Sequence, residues 1–150
     1  MDIWKFQARL TTLLLGWAIA SIAAGTAWLR RDEPLLKGLG EQFAGWGLVN
    51  ALIALVGRSS AGRRQHLPEM ATHAAQEIER RKIARLLWVN TALDVVYMLG
   101  GITTARTRGA ADERWRGRGL GILIQGGFLF FFDLIHALRL GWGGWPDRGD

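Results

Sequence analysis

The sequence predicts an all-α fold, a four-transmembrane-helix bundle built from two hairpins. Three observations carry this prediction. Four apolar segments of bilayer length recur along the 150 residues. None of the four contains a proline. The charged residues are bunched between the segments, so the 49% hydrophobic content and the mean hydropathy of +0.09 are averages that hide the pattern. A soluble bundle would carry a stripe of Lys, Glu and Arg along each helix, and these segments lack one.

A spanning helix needs roughly 20 mostly apolar residues. The first segment, 10–29, reads "LTTLLLGWAIASIAAGTAWL" and has no charge. The second, 39–56, has one charge, Glu41, near its start. The third, 86–103, holds Asp94 in its middle, and the fourth, 120–138, has Asp133 as its only formal charge. In "RRDEPLLKG" Pro34 is expected to stop the first helix, and "ARTRGAADERWRGRG" closes the second hairpin. The polar segment 58–85 joins the hairpins. Its start, "RSSAGRRQH", reads as loop, and Pro68 can open a helix. "EMATHAAQEIERRKIAR" then runs straight into the third helix, with Glu77 and Arg81 at supporting spacing. The length suits a single membrane-embedded domain over residues 1–150.

At the N-terminus a basic start, an apolar stretch and Ala18-Ile19-Ala20 have the outline of a cleaved signal. The apolar run continues to Leu29, longer than a signal core, so retention as a helix is expected. The absence of cysteine excludes disulfides and thiolate metal sites. The 20 Gly and 8 Trp suit membrane helices and their interfaces. The net charge of +6 is explained by basic loops at anionic headgroups, without nucleic acid. The excess of Arg over Lys, with abundant Ala, points toward a GC-rich bacterial genome.

Four spans put both termini on one side. That side carries eleven Lys and Arg residues, including Lys5, Arg9, Arg58, Arg63, Arg64, the run from Arg80 to Arg85, Arg139 and Arg148; the other carries eight. The margin favours cytoplasmic termini in a cell (inner) membrane. Trp4, Trp88, Trp142 and Trp145 are expected at one interface and Trp28 and Trp115 at the other. The run from Arg80 to Arg85 reads as a topology signal before a lipid site.

The second and fourth helices can be superimposed in sequence. Gln42 then matches Gln125, Asn50 matches Asp133, and Ala54-Leu55 matches Ala137-Leu138; Trp17 can be set against Trp88. Two such hairpins would form a parallel repeat about an axis along the membrane normal, with Asn50 and Asp133 at equal depth. Ala18, Ser21 and Gly25 share a face of the first helix, where small residues allow close helix approach.

The polar residues inside the segments are the candidate site. Asp133 and His136 are i and i+3, with Gln125 in the same arc. Asn90, Asp94 and Tyr97 share a face of the third helix, and Gln42 and Asn50 lie on the second. An acid at a membrane helix centre costs about 2.5–3.5 kcal/mol, so such groups turn inward and find partners. The expectation is a core cluster of Asn50, Asn90, Asp94, Tyr97, Gln125, Asp133 and His136.

Three roles compete for it. Interhelical hydrogen bonding would only fix which faces meet. An Asp–His pair in apolar surroundings would serve a proton or small-solute path. A mononuclear metal site would use Asp94, Asp133 and His136; a dinuclear site is not expected, because the carboxylate-x-x-histidine motif occurs once and Asp94 is the only other central carboxylate. "GRGLG" at 117–121 follows no strand and is no dinucleotide loop. His66 and His73 lie in the polar segment and read as solvated.

"WGLVNALIAL", "LLWVNTALDVVYMLGG" and "GLGILIQGGFLFFFDLIHAL" together resemble an uncharacterised family of small bacterial four-helix integral membrane proteins, a domain of unknown function. The resemblance implies the fold and the membrane location, and no catalytic residue. On this reading the protein has a structural or interaction role, as an accessory subunit of a membrane complex. The alternative is a proton-linked small-solute transporter or a membrane enzyme using an Asp/His core site. Expected partners are the bilayer and other membrane subunits or further copies; no nucleic acid and no cofactor are expected.

Overall fold

The computed structural model describes residues 2–141. Among them are four long helices, α1 (Ile3–Leu29), α2 (Pro34–Arg64), α3 (His73–Arg106) and α4 (Glu113–Leu140), and no strand. All four are long and apolar enough to cross a membrane. Short 3-10 turns, Pro68–Ala71 and Arg108–Ala110, precede α3 and α4.

The helices outrun the apolar segments because their ends are capped by polar residues. The Asp2 carboxylate accepts from the Trp4 and Lys5 amides, so α1 starts a full turn and more before Leu10. Pro34 does not stop α1; it is the first residue of α2, where its missing N–H costs nothing. Residues 58–64, expected as loop, continue α2. The helix expected to open at Pro68 is broken at Thr72: Pro68–Ala71 is a separate 3-10 turn, Thr72 is extended and caps α3, and only from His73 does the polar stretch run unbroken into the third apolar segment. Buried Glu79 explains the longer α2: its carboxylate takes an ion pair from Arg64 at 2.6 Å and a second from Lys82 at 3.4 Å.

α1 packs along α2, and α3 along α4, as two antiparallel hairpins; α2 and α4 then pack on each other. The last apolar segment is 39% buried and the first only 17%, so α4 is central and α1 peripheral. Ile3, Phe6, Ile83, Ala84, Leu87, Ala137 and Leu140 form a core cluster at the terminal end, with Trp4 and Trp88 against it. Trp28 packs on Phe43 near the opposite end, and Trp115 lies under Arg108 and Arg118. Trp142, Trp145 and Arg148 lie outside the described residues.

Glycines set the frame, and their contacts are reciprocal. A methyl group at Gly38 would overlap the Arg114 carbonyl oxygen and the Arg118 amide; one at Gly117 would overlap the Leu35 carbonyl oxygen and the Leu39 amide. Within the first hairpin Gly25 meets the Ala44 amide and the Gly40 carbonyl. Within the second, Gly101 meets the Leu123 amide and the Gly119 carbonyl. Gly47 rests on Ala18 and Ile22, as Gly126 rests on Asp94 and Met98. Each contact has a twin, so the hairpins are related by a pseudo-two-fold axis along the bundle.

This corrects the register of the repeat. The backbone pairs Gly38 with Gly117, Gly40 with Gly119 and Gly47 with Gly126. Gln42 is therefore matched by Gly121 and Asn50 by Leu129, one helical turn short of Gln125 and Asp133. Trp17 corresponds to Leu93, and Trp88 is not its counterpart. Polar identities misalign the halves because the close-packed glycines, and not the polar residues, are what the frame repeats.

Candidate functional site

At 100° per residue, Gln125 and His136 fall within about 20° of one line on α4, while Asp133 lies about 60–80° away. α4 packs against α3 and α2 and reaches α1 through side chains, so this arc is divided between α3 and α1. Gln125 is fully buried toward α1: its Nε2 donates to Ser21 Oγ at 3.1 Å, and its Oε1 accepts from Trp17 Nε1 at 2.9 Å. His136 also faces α1. Its Nδ1 lies 2.7 Å from the Phe132 carbonyl oxygen, and its ring stands edge-on to Phe6 at 5.8 Å. It borders a cleft with Lys5, Arg9 and Arg139.

Asp133 turns the other way. Its side chain lines one cavity with Asp94 and Asn90 of α3. The structure thus brings Asn50, Asn90, Asp94, Tyr97 and Asp133 to one cavity and leaves Gln125 and His136 outside it. The Asp–His pair is not assembled. Nor is the ligand set of Asp94, Asp133 and His136: among the described residues no group of three or more His, Asp or Glu side chains is placed to hold a metal ion.

The cavity is a groove of about 620 Å³ between α2 and α3, floored by α4. Val49 and Ile53 on α2, and Leu93 and Tyr97 on α3, are exposed along its lips, so it opens sideways. Trp46 crosses it edge-on to Tyr97, with ring centroids 5.2 Å apart. At the hairpin-loop end Glu41 closes it. Its carboxylate accepts from Arg118 Nε at 2.6 Å and from Arg114 Nε at 2.9 Å, which ties α2 to α4.

Two buried polar atoms in the groove have unspent hydrogen-bonding capacity. Asn50 is 2% exposed and its Nδ2 has no acceptor; Asp94 is 3% exposed and no N–H or hydroxyl reaches its Oδ2. Buried polar atoms are nearly always paired, so each such atom calls for an explanation. A hydrogen bond between two carboxyl groups needs a proton on one of them, since a carboxylate only accepts. The chemistry on offer is therefore two neighbouring acids able to share a proton, amides and two aromatic rings, walled by aliphatic side chains.

Trp46 was not singled out in the sequence. Its signal was position: it sits near the middle of an apolar segment, where an interfacial Trp does not belong. Trp17 carries the same signal and is the partner of Gln125. Glu79, a polar residue in a polar run, gave no sign of burial.

The bundle and groove define a class: a four-helix protein of membrane-spanning type with a lateral acidic groove. The family model described as "Family of unknown function (DUF6992)" matches residues 13–134, and the chain belongs to that family. No curated protein and no solved structure matches the chain.

Proposed function

We propose that this is a small membrane protein with a binding role, holding a small solute in the α2–α3 groove through Asp94, Asp133, Asn90 and Asn50, with uptake linked to the proton the two acids share. One observation carries the reading. The pseudo-two-fold axis gives each of these four residues an apolar twin: Ala18 for Asp94, Ala54 for Asp133, Leu14 for Asn90 and Leu129 for Asn50. The twin groove between α1 and α4 closes on the same frame without any of these groups. Helix stitching therefore does not require them, and intramembrane acids without a packing task mark solute or proton sites.

In this reading the helices lie in a cell membrane with cytoplasmic termini, supported by the excess of Lys and Arg on the terminal side. The test is native mass spectrometry of the protein gently extracted from its host membrane, compared with a Val49→Phe/Leu93→Trp variant that fills the groove. Wild type should carry an extra small mass that the variant lacks. A bound polypeptide in its place would support the accessory-subunit role. Bare protein in both would count against the groove as a site.

A further inference from the structure

We infer that the groove's ligand is a lipophilic amine in its ammonium form, entering sideways from the hydrocarbon and exchanging against the proton held between Asp94 and Asp133. This rests on the groove being the binding site, and it adds the ligand's class and the coupling.

Three features select a cation on an apolar body. The groove is lined at its floor by two acids, Asp94 and Asp133, a site whose charge a cation complements. Trp46 and Tyr97 place aromatic faces and edges beside it, and ring faces attract ammonium groups most strongly when water is excluded. The lips are exposed aliphatic residues, so the path in is lateral and apolar, matched to an alkyl or aryl tail. Asn50 and Asn90 add side-chain amide oxygens toward which a cationic head can orient.

The exchange balances in charge. The empty site holds two carboxyl groups and one proton, a net charge of minus one. When an ammonium binds, the shared O–H bond breaks and the proton leaves to water, directly or through bridging water. Two carboxylates and one ammonium again give minus one. No net charge is added to the low-dielectric interior, where an uncompensated charge is costly.

The other charged and titratable groups around the pair are few. On α2 Glu41 borders the groove, already answered by Arg114 and Arg118 from α4. On α3 there is the Tyr97 hydroxyl. On α4 His136 lies one turn on and faces Phe6. The part of α1 that borders the groove is Leu14. None of them supplies a cation to the acid pair, so the ligand must.

The experiment is isothermal titration of the whole protein, in an uncharged detergent, with octyltrimethylammonium, run in two buffers of different protonation enthalpy. The probe's charge is permanent, so any proton counted comes from the protein. An alcohol of matched chain length is the uncharged control. The inference expects binding of the ammonium with release of about one proton per probe. It expects binding to weaken about tenfold or more in Asp133→Asn, and likewise in Val49→Phe/Leu93→Trp. Equal binding of the alcohol would overturn the amine class while leaving the groove as a site. Ammonium binding without proton release would overturn the exchange. If neither probe binds while native mass spectrometry still finds a small mass in wild type, the amine inference falls and the groove reading stands.

Discussion

The two halves of this bundle present the same groove twice and treat it in opposite ways. Between α1 and α4, Trp17 stacks on Phe128 with centroids 3.8 Å apart, and Phe128 stacks on Phe132. Between α2 and α3 the twin positions hold Leu93, Val49 and Ile53, and about 620 Å³ stays open. The polar pairing follows suit. In the closed groove Gln125 bonds Ser21; at the twin positions of the open one Trp46 meets Tyr97. Glycine contacts fix one backbone frame for both halves, and side-chain volume then decides whether a groove becomes core or cavity. The acids sit only where the volume is missing.

The comparison breaks most completely if the frame is removed. Gly117→Leu would drive a side chain into the Leu35 carbonyl, and overpacking of this kind costs about 3 kcal/mol or more. The variant should lose the folded population in detergent, read by thermal unfolding; a wild-type midpoint would show that the α2–α4 contact is not closely packed. Next in size, Trp17→Leu should open the closed groove and cost about 2 kcal/mol, from the lost stacking on Phe128 and the lost donor to Gln125. The same thermal assay reads it, and a neutral outcome would mean the aromatic filling is not what distinguishes the halves.

Two smaller effects sharpen the comparison. Asp133→Asn should change stability by less than about 1 kcal/mol, the scale of interhelical hydrogen bonds in membranes, while removing the small mass seen by native mass spectrometry. A large loss of stability would return Asp133 to a stitching role. Glu41→Gln should cost about 0.5 kcal/mol, because its ion pairs with Arg114 and Arg118 are partly exposed. Urea titration at low and high salt would register it, and an unchanged midpoint at low salt would show that the pairs do not hold α2 to α4.

The four helices were legible because hydropathy over a bilayer-length window is a strong, additive signal. Their ends were not, since Asp2, Pro34 and Thr72 act through caps that composition does not reveal. Asp94, Asp133, Asn90, Asn50 and Tyr97 were legible as polar residues in apolar surroundings. The direction of His136 was not: spacing put it near Asp133, but only the packing of α4 on α3 and α2, with α1 within side-chain reach, decides which neighbour each residue faces. The repeat was visible and its register misread, because Gln42 and Gln125 look alike while the glycines that align the halves are lost among the other glycines of the chain. The open groove itself has no sequence signature until the register is known.

Infrared difference spectroscopy of the carboxyl region tests the central claim most directly, comparing wild type with Asp133→Asn and with Val49→Phe/Leu93→Trp. A protonated-carboxyl C=O band should be present in wild type, vanish or shift when octyltrimethylammonium is added, and respond to the probe in neither variant. A band that ignores the probe in wild type, or responds equally in the filled variant, would contradict an acid pair that works through the α2–α3 groove.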